Sequence, residues 1–248
     1  RSAHRQPHPA GNRRRHPGGD DGGEERRCRP VRPAAVRRRS FAACWVPTER
    51  RLPSRLSMGN IVGILLAAGS GCRFGGDKLL HPLADGTPMG VAAARSLRAA
   101  LDRVVAVTRP GDDKLADLLA KAGCEVIVAH DAAQGMGHSL AAGVRAAPDA
   151  GGWMIALGDM PCIKPETHRL ISQALQAGGS IVAPVCNGVR GHPVAFGAKW
   201  YGGLSTLRGD TGAKELIRSA GLEFRQIEVR DRGIVEDVDV KAEGGVAI

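Results

Sequence analysis

The chain has 248 residues and a formal net charge of +10, but this charge is distributed unevenly along it. Residues 1–57 contain 15 Arg, no Lys and five acidic residues, whereas residues 58–248 contain 20 basic and 20 acidic residues. Because the longer part is neutral overall, the net charge gives no support to a nucleic-acid-binding function.

Residues 1–57 are rich in Arg, Pro and Gly and show no apolar periodicity, which predicts a disordered segment. The first Met is Met58, directly before the first apolar run. We expect residues 1–57 to be translated upstream sequence outside the native protein, and residues 58–248 to form one domain. The alternative is a genuine Arg-rich tail that binds anionic polymers or acts as a targeting peptide.

Cysteine spacing and hydropathy predict the setting of the protein. The six cysteines include no C-x-x-C pair, which favours reduced thiols in a cytoplasmic protein. No apolar run approaches the roughly 20 residues that cross a bilayer, so no membrane partner is expected.

The first predicted element is a buried strand, Ile61–Leu66, followed by a glycine-rich loop; residues 61–78 read IVGILLAAGSGCRFGGDK. Glycines let backbone amides close on an anion, and Arg73 and Lys78 add positive charge. The loop therefore predicts a polyphosphate site, with a turn carrying two solvated cations as the alternative. It is neither a Walker A loop nor a dinucleotide fingerprint, because Leu79 follows Lys78 and Phe74 replaces the third glycine.

Strand and helix signals then alternate along the chain. The predicted strands are 104–108, 125–129, 153–157, 180–184 and 193–196, with a turn at 186–191. The predicted helices are 113–121, with Asp112 or Asp113 as its cap, 137–146, the segment after Pro165, and 212–219. This alternation predicts an α/β fold with a mostly parallel sheet covered on both faces, in which ligands bind beyond the carboxyl ends of the strands.

Acidic residues follow two of these segments. Asp159 comes directly after the strand 153–157, where a carboxylate can hold Mg²⁺ together with substrate phosphates, although an Asp there can also cap the next helix. Asp237 and Asp239 share one face if the chain is extended, although the pattern by itself favours a solvated acidic edge strand. Combined with Arg73 and Lys78, these acids predict a site for a nucleoside triphosphate and Mg²⁺.

Several motifs resemble the nucleotidyltransferases related to molybdenum cofactor biosynthesis. The first is L-A-A-G-S-x-x-R-x-G-x-x-K-L at 66–79, and the others lie at 135–140, 157–161, 191–194, 209–213 and 237–239. The resemblance covers nearly all of residues 61–240. It implies a Rossmann-like three-layer αβα sandwich with a mostly parallel sheet, of nucleotide-diphospho-sugar-transferase type.

Within this family, the Ala-Ala-Gly, Gly-His-Pro-Val and Gly-Asp-x-Gly-Ala segments resemble molybdenum cofactor cytidylyltransferase, whereas Asp77 before Lys78 is typical of the guanylyltransferase relatives. The resemblance implies transfer of CMP from CTP to the phosphate of molybdopterin, with Mg²⁺ as cofactor and a molybdoenzyme as recipient of the product. Guanylyl transfer, transfer to another small phosphate, and non-catalytic delivery of the cofactor stay open as alternatives.

The resemblance also implies a role for each motif residue. Arg73, Lys78 and Asp159 would be catalytic, and Asp159 and Asp239 would hold the metal. The nucleotide would contact Leu66, Ala67, Ala68, Gly69, Ser70, Arg73, Lys78, Gly135 and Ser139. The acceptor would contact His192, Gly209 and Asp210, although a packed histidine and a plain capped turn are the structural alternatives for these. His138 departs from the family pattern, which often has a small polar residue there, and the simple interpretation is an exposed histidine at a helix start.

Overall fold

An eight-stranded sheet forms the centre of the described part of this computed structural model, which comprises residues 60–69, 78–210 and 212–238. The strands are β1 (Ile61–Leu66), β2 (Arg103–Thr108), β3 (Glu125–Val128), β4 (Gly152–Leu157), β5 (Ile181–Cys186), β6 (Val189–Arg190), β7 (Val194–Gly197) and β8 (Phe224–Glu228). The helices are α1 (Met89–Arg98), α2 (Asp113–Lys121), α3 (Met136–Arg145), α4 (Pro165–Gln176), α5 (Tyr201–Ser205) and α6 (Lys214–Ser219).

The strand order is β3-β2-β1-β4-β7-β5-β6, and β8 pairs with β5. The strands β1 to β4 are mutually parallel where they pair, and β8 is parallel to β5. The strand β7 runs antiparallel to β4 and β5, and β6 forms a hairpin with β5. Leu66 at the end of β1 pairs with Val107 in β2 and Leu157 in β4, so these three strands end at the same level. The predicted mostly parallel sheet is confirmed.

Helices cover both faces of the sheet. Successive residues of a strand point to opposite faces, so neighbouring residues of β1 pack against different helices. In β1, Leu65 belongs to a buried cluster with Leu97 of α1 and Ile171 of α4. Its neighbour Ile64 belongs to a second cluster with Leu140 of α3. The expected three-layer αβα sandwich is therefore confirmed.

The structure differs from the sequence predictions mainly after β5. The predicted turn 186–191 is a hairpin whose turn residues, Asn187 and Gly188, have φ values of 51° and 78°, and both adjoining strands extend into it. The helix α1 and the strand β8 were not predicted. Among the described residues, β8 pairs with β5 alone and is largely exposed, so its sequence lacks the apolar run typical of a buried strand. No helix within the described ranges is long and apolar enough to cross a bilayer.

Asp112 occupies the N-cap position of α2, as predicted, but its side chain makes no capping hydrogen bond. Its carboxylate instead pairs with the guanidinium of Arg109, Nε to Oδ2 being 2.9 Å. The predicted side-chain cap is therefore wrong, because a nearby cation competes for the carboxylate. Arg109 directly follows β2, so this ion pair lies at the carboxyl end of that strand.

We predict that protonation of His168 destabilises the fold at acidic pH. The imidazole lies in α4, is 2% exposed and has an Nδ1 without a partner within the described residues. Burial lowers the pKa of His168 from 6.5 to about 4, although the Asp231 carboxylate opposes this shift. Because the unfolded chain binds the proton more readily, stability present above pH 6.5 should be lost as the pH falls towards 4, by up to about 3 kcal/mol.

Urea unfolding of His168→Leu and wild type at pH 7 and pH 4.5 tests this prediction. The variant should lose less unfolding free energy on acidification than the wild type does. His130→Leu, at an exposed position, serves as the control and should keep the wild-type dependence. An equal loss in His168→Leu and wild type would show that another group is responsible.

Candidate active site

The carboxyl ends of three neighbouring parallel strands form one edge of the sheet. Pairing continues beyond the strands, since the Gly158 amide donates to the Leu66 carbonyl at 3.0 Å and the Ala67 amide donates to the Val107 carbonyl at 2.9 Å. These bonds hold the first residues after β1, β2 and β4 side by side. Ligands of open α/β sheets bind at such an edge.

Lys78 and Asp159 meet at this edge although they are 81 positions apart in sequence. The Lys78 ammonium donates to Asp159 Oδ2 at 3.1 Å, with side chains 14% and 32% exposed. A Cβ atom on Gly158 would lie 3.2 Å from Leu79 Cδ1, so glycine allows the segment that begins at Lys78 to approach the end of β4. Asp159 does not cap the next helix, because Lys164 occupies the N-cap position of α4.

The Asp159 carboxylate is suited to be one ligand of a divalent cation whose other ligands include phosphate oxygens. Mg²⁺ in proteins is commonly held by one or two carboxylates, with water and substrate phosphates completing its shell. No group of three His, Cys, Asp or Glu side chains within residues 60–69, 78–210 and 212–238 is arranged to hold a metal ion by itself. A carboxylate at this strand end thus suits a metal whose other ligands include water and phosphate oxygens.

A small, open cleft of about 50 Å³ lies beside Lys78 at the ends of β1 and β2. Its volume is smaller than that of typical small-molecule sites, so its charge, and not its size, points to a ligand. Its charged lining comprises Lys78, Arg109, Asp112 and Lys114, a net positive set. Apolar contacts come from Leu79, Leu80 and Leu115. Sequence reasoning missed Arg109 and Lys114, although both follow a predicted strand, because the position of β2 next to β1 was unknown.

The glycine motif at the start of α3 contacts the 208–210 loop. The Gly137 amide donates to the Gly209 carbonyl at 2.7 Å, and the Met136 amide donates to Asp210 Oδ1 at 3.4 Å. His138 Nδ1 accepts from the Gly209 amide at 3.2 Å, so this residue is half-buried and fastens the loop. The expectation of a merely exposed His138 is wrong. Two predicted motifs thus lie together, and their glycines allow backbone to approach backbone.

Gly135→Ala should be strongly destabilising because Gly135 has a φ of 125°, and a Cβ there would overlap the Gly209 backbone and lie 2.5 Å from Asp210 Oδ1. Left-handed strain and overpacking together should lower the unfolding free energy by about 3 kcal/mol, as measured by urea denaturation. Gly202→Ala is the control, since nothing lies within 4 Å of its Cβ position. Equal stability of Gly135→Ala and wild type would contradict this packing.

His192 lies in a half-buried position near Asp159. Its amide donates to the Ile234 carbonyl at 2.9 Å, while its Nδ1 is buried without a partner among the described residues. Burial lowers the pKa of His192, and the Asp159 charge partly opposes this shift, so the neutral imidazole is favoured near neutral pH. Nδ1 itself is enclosed by protein, so contact between His192 and the acceptor stays a prediction.

Most of the remaining predicted site residues lie at or near the end of β1 or in α3. Ala67, Ala68 and Ser139 are buried, Leu66 is partly buried, and Gly69 is exposed. Ser70, Arg73 and Asp239 lie outside the described residues. The Val238 amide donates to the Asp159 carbonyl at 3.1 Å, so the last described residue reaches the candidate site. Asp237 is exposed, and residues 235–238 do not form a strand.

Comparisons with known proteins agree with this architecture. The model of the MobA-like NTP transferase domain matches residues 63–226. Purine catabolism protein PucB of Bacillus subtilis is 29% identical over 194 residues, covering 74% of this chain and 93% of that protein. Nicotine blue oxidoreductase of Paenarthrobacter nicotinovorans is 32% identical over 191 residues, covering 72% of this chain and 92% of that protein.

A solved structure extends the likeness to three dimensions. The crystal structure of Rv0371c from Mycobacterium tuberculosis aligns with a TM-score of 0.62 and 30% identity over 69% of this chain and 88% of that one. A complex of the same protein with manganese aligns with a TM-score of 0.59 and 28% identity over 68% and 88% of the two chains. With the fold, the strand-end site and the match over residues 63–226 in agreement, the chain belongs to the family of MobA-like NTP transferase domains.

Proposed function

We propose that the protein transfers CMP from CTP to the phosphate of molybdopterin in a reaction that requires Mg²⁺. The observation that carries this proposal is the pairing of Lys78 with Asp159 at 3.1 Å beside a basic cleft. Family membership supports nucleotidyl transfer as the reaction type, and the motif resemblance favours cytidylyl transfer to molybdopterin. A molybdoenzyme that accepts the product is the partner in this proposal.

In the proposed reaction, a phosphate oxygen of molybdopterin forms a bond to the α-phosphorus of CTP. The bond from that phosphorus to the bridging oxygen breaks, and its electron pair leaves with pyrophosphate. Bound Mg²⁺ would neutralise charge on the triphosphate. The protein mainly positions the reactants and stabilises developing charge, which accounts for most catalysis of this kind.

Each predicted residue has a role in this proposal. Lys78 and Arg73 neutralise the triphosphate and the leaving pyrophosphate, and Asp159 and Asp239 bind Mg²⁺. The nucleotide contacts Leu66, Ala67, Ala68, Gly69, Ser70, Gly135 and Ser139, and the acceptor contacts His192, Gly209 and Asp210. The half-buried position of His192 near Asp159 supports its place beside the acceptor. Lys114 and Arg109 add positive charge to the cleft.

Pyrophosphate release by the full chain tests the proposal. Assays contain Mg²⁺, molybdopterin and either CTP, GTP, ATP or UTP, with matching assays that lack molybdopterin. Release with CTP that depends on molybdopterin is expected. Preference for GTP would overturn the assigned base, release independent of molybdopterin would overturn the assigned acceptor, and no release with any nucleotide would overturn nucleotidyl transfer.

A further inference from the structure

Residues 231–238, here called the closing segment, connect the two loops that carry Asp159 and His192. At its far end, the Val238 amide donates to the Asp159 carbonyl at 3.1 Å. Near its start, the Ile234 carbonyl accepts from the His192 amide at 2.9 Å. The closing segment is therefore bonded to the backbone of both candidate site residues.

Close packing fixes the first half of the closing segment. A Cβ on Gly233 would overlap the Cys162 carbonyl, and a Cβ on Gly191 would lie 2.5 Å from the Ile234 carbonyl carbon. Ile234 is fully buried in a cluster with Met160. The segment consequently packs closely between the loop after β4 and the loop before β7.

Asp231 fastens this arrangement to α4. Its carboxylate is buried, the residue being 4% exposed, and accepts three hydrogen bonds. Oδ1 accepts from the Gly233 amide at 3.1 Å. Oδ2 accepts from the Lys164 amide at 2.9 Å and from the Thr167 hydroxyl at 2.6 Å. Hydrogen bonds to a charged acceptor are stronger than neutral ones, and the first turn of a helix favours a negative charge.

The side chain of Lys164 at the N-cap position of α4 has no oxygen with which to accept from the helix amides. Asp231, 67 residues further along the chain, instead tethers the start of α4 by accepting from the Lys164 amide and from the Thr167 hydroxyl. One carboxylate thus performs two tasks: it tethers the start of α4, and it holds the turn of the closing segment at Gly233. Packing of α4 alone would require only the first task.

We propose that Asp231 is a positioning residue that fixes Asp159 through the closing segment and thereby sets the affinity of the site for the divalent cation. The inference rests on the proposed metal-binding role of Asp159. Loosening the turn at Gly233 releases the restraint that Val238 places on the Asp159 backbone. The carboxylate of Asp159 then samples more orientations, and the metal–nucleotide complex binds more weakly.

Direct binding of Mn²⁺ in the presence of CTP, measured by isothermal titration calorimetry, tests this inference with the full chain. Asp231→Asn preserves shape but replaces one acceptor oxygen by an amide that cannot accept. We expect about 10-fold weaker Mn²⁺ binding, the lower end of the effect of losing an outer-shell partner. The Mg²⁺ concentration for half-maximal pyrophosphate release should rise by a similar factor. A purely structural role would lower the active fraction and leave both constants unchanged.

Asp85→Asn is a matched control, because Asp85 also accepts from a backbone amide and a threonine hydroxyl, both of Thr87, but does so in an exposed turn. It should keep the wild-type Mn²⁺ affinity. Thr167→Val provides a second, milder variant that removes one donor to Asp231 without changing charge. We expect it to weaken Mn²⁺ binding by about threefold, since one of several outer-shell contacts is lost.

The outcomes separate this inference from the proposed function. Wild-type affinity in a folded Asp231→Asn variant would overturn the inference while the proposed function stands. If that variant does not fold, unchanged affinity in Thr167→Val would overturn it instead. Failure of the wild type to bind Mn²⁺ with CTP would overturn the metal role of Asp159 itself, and the inference with it.

Discussion

Asp159→Asn is expected to lower the turnover number for pyrophosphate release by about 100-fold or more, as loss of a charge-stabilising group commonly does. Asn keeps the size of the side chain but removes the negative charge that would attract Mg²⁺ to the triphosphate. The side chain is 32% exposed, so the change should have little effect on folding. The measurement is steady-state turnover with saturating CTP, molybdopterin and Mg²⁺.

Asp117→Asn is the control for that experiment, because Asp117 is exposed on α2 and does not line the cleft. It should retain normal turnover. If Asp159→Asn also works at nearly the normal rate, Asp159 is not a metal ligand. In that case its ion pair with Lys78 is only a structural contact.

Lys78→Met should lower kcat/KM for CTP by about 100-fold, which corresponds to losing roughly 3 kcal/mol of transition-state stabilisation. Met keeps much of the length and apolar stem of lysine but lacks the ammonium that would neutralise the triphosphate and the leaving pyrophosphate. Lys78 is only 14% exposed, so the charge acts in a poorly solvated position where its influence is larger than in bulk water.

Lys121→Met, at an exposed position in the last turn of α2, is the matched control and should behave as the wild type does. The double variant Lys78→Met/Asp159→Asn should lose less activity than the product of the two single effects, because residues that act as a unit are not additive. Strictly multiplicative losses would indicate that the two side chains act independently.

The fold was largely predictable because its central strands are buried on both faces. Continuous apolar runs such as Ile61–Leu66 can be recognised without knowing their partners. Elements that depend on partners were harder to recognise. The strand β8 is mostly exposed and, within the part of the chain that the structure describes, pairs with β5 alone. The strand β6 is only two residues long. The helix α1 begins after Pro88 without a side-chain cap, so its start lacks the usual N-cap signal.

Site residues that follow a recognisable strand or loop could be predicted from the sequence. Residues whose role depends on contacts between distant parts of the chain could not. Asp159 follows a recognisable strand, and Lys78 closes a recognisable glycine-rich loop. Asp231 was missed because its partners in α4 lie more than 60 residues away in sequence. Arg109 was missed because only the strand order places the end of β2 beside β1. His138 was misjudged because its partner, Gly209, belongs to a distant loop.

The most direct test is a crystal structure of the protein with Mn²⁺ and a non-hydrolysable CTP analogue, in which anomalous scattering locates the metal. We predict Mn²⁺ coordinated by the Asp159 carboxylate and by phosphate oxygens, with the Lys78 ammonium turned towards the triphosphate. A nucleotide and metal bound away from the ends of β1 and β4, with Lys78 and Asp159 still paired to each other, would contradict the proposed active site.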